Sequence, residues 1–517
     1  MPLSPRPSLR PSLRLSPRPS SRRTALLCAL AAGAAALAPS PPAAGKAHTA
    51  APALRFGACP ASVPAPPAPD RVECGSVTVP LDRDRPRGPR IEIAVSRVRA
   101  SGTPAQRRGI LLVNPGGPGG SGLPYAVTKR AKLPESVRRS YDVVGFDPRG
   151  VGLSAPADCG PMGGLFDSPG ADPVPVGRAA ERAYLASLRR TADDCAAGSA
   201  GVTAHLSTEQ TAHDMDAIRA ALGERSASFL GVSYGSRLGA AYAALFPRRV
   251  DRMVLDSVVG PSSWYDFDVL QSRALLRQRD TFFAWTAAHA DRFGLGDHAA
   301  AVREAYLRVR RELALRPVEG IGAAGFDRAV YRALGRTERW SGLADALRAH
   351  LRDGTVTGLR PASPFDGAAS RNYEAANRIV KCADGPAPTP ARVLTDIRRT
   401  RRVDPQPVLT GMEASTCAYW QHRPSRRTPL GGAGVPPVLL VASAHDPVTP
   451  VAGARELRRL LPGSRLVTLE NDHSHGVFAS RGDACVDGTV AAYLVDGQVP
   501  AADVRCAGPG LPEPSPR

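Results

Sequence analysis

The chain has 517 residues, with 43% hydrophobic, 5% aromatic, 50 Gly and 51 Pro residues. That length excludes a single small domain and allows a large core built mainly from Ala, Val and Leu, with many loops and turns. The formal charge of +20 invites a nucleic-acid reading, but the Arg residues are scattered among acids, and no basic stripe interleaved with aromatics or nucleic-acid motif is present.

Arg6, Arg10, Arg14, Arg18, Arg22, Arg23 and Lys46 precede residue 51 with no acid among them. Residues 24–38 form an apolar Ala/Leu run of signal-peptide length, too short to span a bilayer comfortably. Ala36-Leu37-Ala38 and Ala51-Pro52-Ala53 are candidate cleavage sites, and Ser21-Arg22-Arg23 resembles a twin-arginine signal. Residues 1–50 are therefore expected to be a signal peptide and flexible lead-in, and the mature protein to be secreted without stable membrane insertion. The Pro/Ala-rich stretch continues to residue 70, and order is expected to begin near Cys74.

Residues 76–81 and 91–95 alternate as strands, and Arg87-Gly88-Pro89 supplies a turn, so the pair is read as an opening hairpin. Residues 109–113 are a continuous apolar run entering Asn114-Pro115-Gly116-Gly117-Pro118-Gly119-Gly120-Ser121-Gly122. This has the form of a buried parallel strand feeding a glycine loop. Such glycine density lets backbone N–H groups approach a substrate closely. A phosphate loop is the rival reading, and it fails for lack of a following Lys-Ser or Lys-Thr. A second buried strand spans 141–146, and helical spacing covers 208–222.

Residues 228–232 form a third strand, followed by Gly231-Val232-Ser233-Tyr234-Gly235 and a small-residue helix from about Ser236 to Pro247. A G-x-S-x-G sequence between strand and helix has the context of a nucleophile elbow. The serine is pushed out at the helix head, where backbone N–H groups favour developing negative charge. Ser233 is the candidate nucleophile. Gly117 in the glycine loop and Tyr234 after the serine are the candidate oxyanion donors.

A fourth strand covers 252–255. From about 261 to 430 the pattern becomes helical, with amphipathic stretches at 273–293 and 299–315. Strands resume at 435–442 and 465–469. Asp446 follows the first of these and His475 follows the second. Ser, then Asp, then His is the chain order of an α/β-hydrolase triad. His473 in the same loop competes with His475, and Asp256 competes with Asp446. The expected organisation is a core over 51–260, a mostly helical insert over 261–430 and a second core part over 431–517, giving a mostly parallel sheet with helices on both faces. No cofactor or metal signature is seen.

Without Cys28 in the leader, eight cysteines remain: Cys59, Cys74, Cys159, Cys195, Cys382, Cys417, Cys485 and Cys506. An even set in an exported chain points to disulfides, and the lack of CxxC argues against zinc or redox roles. Proximity favours sequential pairing among 105 connectivities.

The chain resembles the proline-iminopeptidase and tripeptidyl-aminopeptidase group of α/β-hydrolases, especially the secreted actinobacterial enzymes. The resemblance rests on CGSVTVPLD from Cys74, NPGGPGGSG from Asn114, DPRGVGLS from Asp147, GVSYGS from Gly231, DPVTP from Asp446 and SHG at His475. It implies a serine exopeptidase acting on peptides with a free N-terminus, beneath a helical cap. The protein is expected to work as a monomer. Ser474 stands where the group often has Gly. Glu374, Asp384 and Glu413 are the acids available in the insert for a substrate ammonium group. An esterase or lipase with the same triad is the alternative, and a non-catalytic binding protein on this scaffold is a further one.

Overall fold

A computed structural model describes residues 54–160, 172, 174–199, 201–360, 367–404, 413–422 and 427–516. The expected signal peptide and its cleavage sites lie outside the described residues. Nine strands form one sheet: β1 (Val72–Pro80), β2 (Arg90–Val98), β3 (Gly109–Asn114), β4 (Tyr141–Phe146), β5 (Ala227–Val232), β6 (Val250–Asp256), β7 (Val438–Ser443), β8 (Arg465–Glu470) and β9 (Val504–Ala507). Their spatial order is β1-β2-β4-β3-β5-β6-β7-β8-β9. The β1–β2 and β2–β4 pairs are antiparallel, and all other pairs are parallel.

The apolar runs of β3, β4, β5 and β7 are buried along their whole length, as strands covered on both faces require. Side chains alternate between two cores with the period of two that a strand imposes. Ile110 and Leu112 enter one core with Phe229 and Leu255. Leu111 and Val113 enter the other with Leu230 and Val254. From β3 the chain crosses to β4 on one side and then returns to β5 on the other. That reversal opens a crevice at the carboxyl ends of β3 and β5, the usual ligand position in open α/β sheets.

Between β6 and β7 the chain forms the helices Trp264–Ala288, Ala290–Phe293, Ala299–Leu315, Ala323–Leu334, Trp340–Asp353, Ala368–Ala383 and Pro390–Val403. Part of this segment has an apolar core of its own, in which Trp340 meets Phe282 and Trp285 edge to face. The stretch read as one helix over 273–293 starts earlier, where Ser263 caps Asp266 N–H, and breaks at His289.

Order begins well before Cys74. Gly57 and Cys74 exchange backbone hydrogen bonds of 2.8 and 2.9 Å, and Asp70 accepts two 2.8 Å bonds from Arg130. These long-range anchors override the flexibility that Pro/Ala composition suggests. The cysteines pair as Cys59–Cys74, Cys159–Cys195, Cys382–Cys417 and Cys485–Cys506. They close loops of 15, 36, 35 and 21 residues, each in the range where a crosslink is worth about 2–4 kcal/mol.

Candidate active site

Ser233 sits between β5 and the helix Tyr234–Leu245 with φ 59° and ψ −124°. This is a strained conformation for a residue other than glycine. Its surroundings over-determine it. Ser233 N–H donates to Asp256 O at 2.9 Å, and Ser233 O accepts the Ser236 hydroxyl at 2.6 Å. The flanking glycines are steric necessities. A Cβ on Gly231 would lie 2.2 Å from Gly235 O, and one on Gly235 would lie 2.9 Å from Asn114 O. Tyr234 is the first residue of the helix, so its N–H has no intrahelical acceptor.

The glycine loop approaches the same point. Asn114 Oδ1 accepts Gly116 N–H at 3.0 Å. Gly116 has φ +96°, and a Cβ there would stand 2.8 Å from Ser233 Cβ and 3.1 Å from Tyr234 N. Gly117, the donor expected from sequence, lines the same cavity as Ser233. Gly116 makes the closer approach to the serine, a distinction that glycine density alone does not reveal. Asp147 of the DPRG segment braces the loop by accepting the Ser121 hydroxyl at 2.6 Å and Gly122 N–H at 3.0 Å.

The two histidines and two acids that compete in the sequence separate in space. His475 Nδ1 lies 2.9 Å from Asp446 Oδ2. Asp446 is buried, and its other oxygen accepts the N–H groups of Val448 and Thr449 at 2.8 and 2.9 Å. The Thr449 hydroxyl donates to Asp446 Oδ2 at 2.7 Å and lies 3.2 Å from His475 Nδ1. Thr449 was not singled out in the sequence, although it stands three residues after Asp446 in DPVTP. His473 faces away, with Nδ1 3.1 Å from Gln278 Oε1 and its ring stacked on His445 at 4.4 Å. Burial and His445 push its pKa down to about 4.

Asp256 has a different task. Its Oδ2 accepts Val477 N–H and Phe478 N–H, both at 3.0 Å, and so holds the loop after His475. Burial pushes its pKa up, against the opposing pull of Lys129 and these N–H groups. Lys129 is buried beside it, donates to Phe478 O and Ser480 Oγ, and is pushed down to about 8 by burial. Ser474, the departure from the group pattern, joins the insert through its hydroxyl, 3.0 Å from Thr337 Oγ1.

Ser233 and His475 line one cavity of about 600 Å³, roofed by residues of the helical insert such as Phe267, Tyr331 and Tyr373. Of the three insert acids, Glu374 and Glu413 line it. Asp384 does not. It is buried and accepts Thr208 N–H at 2.8 Å and Trp264 Nε1–H at 3.0 Å, so it anchors the insert to the core. Burial pushes Glu374 up, but Arg378 and Arg328 more than reverse this and hold it below the usual carboxylate range. Glu413 accepts from Lys381 Nζ at 2.5 Å, and the same ammonium donates to the buried Asp268 at 3.1 Å. One cation thus serves two carboxylates.

A serine at a strained strand-to-helix turn, sharing a cavity with an acid-paired histidine under a helical insert, defines a class of protein. The profile of the alpha/beta hydrolase fold matches residues 109–478, and the chain belongs to that family. It is 38% identical over 463 residues to the tripeptidyl aminopeptidase of Streptomyces lividans, covering 86% of each chain. It is 32% identical over 478 residues to serine protease Hip1 of Mycobacterium tuberculosis, covering 87% of this chain and 90% of that one. It is also 33% identical over 459 residues to carboxylesterase B of Mycobacterium tuberculosis, covering 84% and 86%.

Proposed function

We propose that this protein is a secreted serine aminopeptidase that releases short peptides from free N-termini through an acyl-enzyme. The observation that carries the reading is the cavity shared by Ser233 and His475, with His475 paired to Asp446. Nδ1 is committed to Asp446, which leaves Nε2 to take the proton of Ser233 as the serine attacks the scissile carbonyl. The N–H groups of Gly117 and Tyr234 hold the oxyanion. His475 then protonates the departing amine, and a water activated by the same nitrogen releases the acyl group. Asp446 orients the imidazole and supports its charge throughout.

Exopeptidase action fits the helical roof, residues 261–430, which acts as a cap and admits a chain end more readily than the middle of a folded polypeptide. Glu413 is the acid best suited to the substrate ammonium. Lys381, which pairs with it, is shared with Asp268, whereas Glu374 is held between Arg328 and Arg378. The substrate identity is supported by the likeness to tripeptidyl aminopeptidase and Hip1. Export is supported by the disulfides, which persist in oxidising compartments, and by the apolar leader.

The test uses purified protein and chromogenic amides of tripeptides, dipeptides, proline and alanine, with free and blocked N-termini, alongside short-chain esters. Cleavage confined to free-amino amides and lost in Ser233→Ala is expected. The 33% likeness to a carboxylesterase favours one second reading, an esterase with the same triad. Ester turnover without any amide cleavage would establish that instead.

A further inference from the structure

The cavity carries a charge imbalance that acyl transfer does not require. Its lining holds eight Lys and Arg side chains and two carboxylates. Of the two carboxylates, Glu374 is engaged by Arg378, and Glu413 shares Lys381 with Asp268. The positive charge not paired within the lining gathers on the histidine side, where Arg336 also lies 3.6 Å from Glu338, an acid it shares with Arg481. Gly335 O accepts His475 N–H at 2.9 Å, so Arg336 follows directly on the residue that touches the histidine. Arg332 lies one turn back on the helix Ala323–Leu334, and Arg339 lies three residues on. Lys132 approaches from just beyond the helix Leu123–Arg130.

These groups act on one another. Arg336 and Lys132 both oppose charge on Lys129, after the larger effect of its burial. Burial and the neighbouring Arg328 and Arg339 likewise oppose charge on Arg332. Glu374 offsets this only in part, because Arg328 and Arg378 share it. A fold that gathers like charges around a cleft holds a field complementary to an anion.

The position of that field decides which part of a substrate meets it. A histidine that protonates a departing amine faces the departing half of the substrate. We infer that the cavity selects peptides presenting a carboxylate on the departing side of the scissile bond, recognised by Arg332, Arg336 and Lys132. The carboxylate can be an acidic side chain or the C-terminus of a short peptide. This inference rests on the peptidase reading of the same site.

The experiment uses free-amino peptides with a constant alanine N-terminal portion. Their departing portions contain Asp, Asn or Lys, and each is made both as the free acid and as the C-terminal amide. Products are followed by mass spectrometry at low and high salt. The expected result is a kcat/KM about 10-fold higher for peptides bearing a departing-side carboxylate than for neutral ones, expressed mainly in KM and shrinking at high salt. The Asp amides and the Asn acids show which carboxylate is read.

Arg332→Gln with Lys132→Gln should bring the acidic-to-neutral ratio to within about 2-fold, and the exposed Lys132→Gln alone should lower it. Equal rates across the Asp, Asn and Lys series and between the free acids and their amides, with or without salt, would overturn the inference while leaving the peptidase reading intact. Failure to cleave every peptide, with esters still turned over, would instead remove the peptidase reading on which it stands.

Discussion

The carbonyl of Gly335, in the helical insert, accepts the backbone N–H of His475 at 2.9 Å. The insert therefore does more than roof the cavity, because it fixes the backbone of the residue that pairs with Asp446. Gln278 strengthens the connection by donating to His473 O at 2.8 Å and Leu334 O at 3.2 Å. Movement of the insert would thus be felt directly by the histidine loop.

Ser233→Ala removes the attacking oxygen and nothing that holds the elbow, since the anchoring bonds of residue 233 use its backbone. Turnover should fall about 10⁴- to 10⁶-fold with little change in Tm. Covalent labelling by a serine-directed phosphonate should be lost in the variant and present in the parent.

Asp446→Asn and Asp256→Asn should separate two roles that look equivalent in the sequence. The first disturbs the tautomer of His475, and kcat should fall about 10³- to 10⁴-fold. The second weakens the acceptor for two buried N–H groups, each costing about 1–3 kcal/mol when left unsatisfied. It should lower Tm by several degrees. Paired kinetics and thermal unfolding on both variants read the difference.

Thr449→Val deletes the hydroxyl that bonds Asp446 Oδ2 beside His475 Nδ1, while the backbone N–H groups of Val448 and Thr449 keep the carboxylate in place. A loss of about 10-fold in kcat is expected, consistent with one charge-assisted hydrogen bond. Thr449→Ser should recover most of the activity.

Glu413→Gln removes the acid assigned to the substrate ammonium. KM for free-amino amides should rise about 10-fold or more, while turnover of simple esters without an amino group should change little. An equal loss on both substrate types would assign Glu413 to the support of Lys381 instead.

His473 provides a pH signature of stability. Its folded pKa, about 4, lies below the ordinary histidine value of 6.5. Between these values the unfolded chain binds a proton that the folded chain does not, so stability falls as pH drops from about 6.5 to about 4. His473→Gln should reduce the slope of Tm against pH in that window and leave Tm above pH 7 nearly unchanged.

The strands were legible wherever burial on both faces writes a short apolar run, as at 109–113 and 141–146, and the nucleophile elbow was legible because its glycines are sterically required. The helix Gly177–Gly198 and strand β9 were not singled out. The helix carries many charged residues on an exposed face, and β9 is only four residues long. What the chain order of Ser233, Asp446 and His475 determined by itself was the type of chemistry. Only the tertiary structure decided between neighbours in sequence. Two histidines separated by one residue point to different surroundings, His473 toward Gln278 and His475 toward Asp446. Asp256 ends β6 and Asp446 lies three residues beyond the end of the adjacent β7, yet Asp256 holds the backbone N–H groups after His475 whereas Asp446 reaches the His475 imidazole. The gathering of Arg332, Arg336 and Lys132 at one cavity could not be read from a scattered basic composition, because their proximity is created by packing an insert over a sheet.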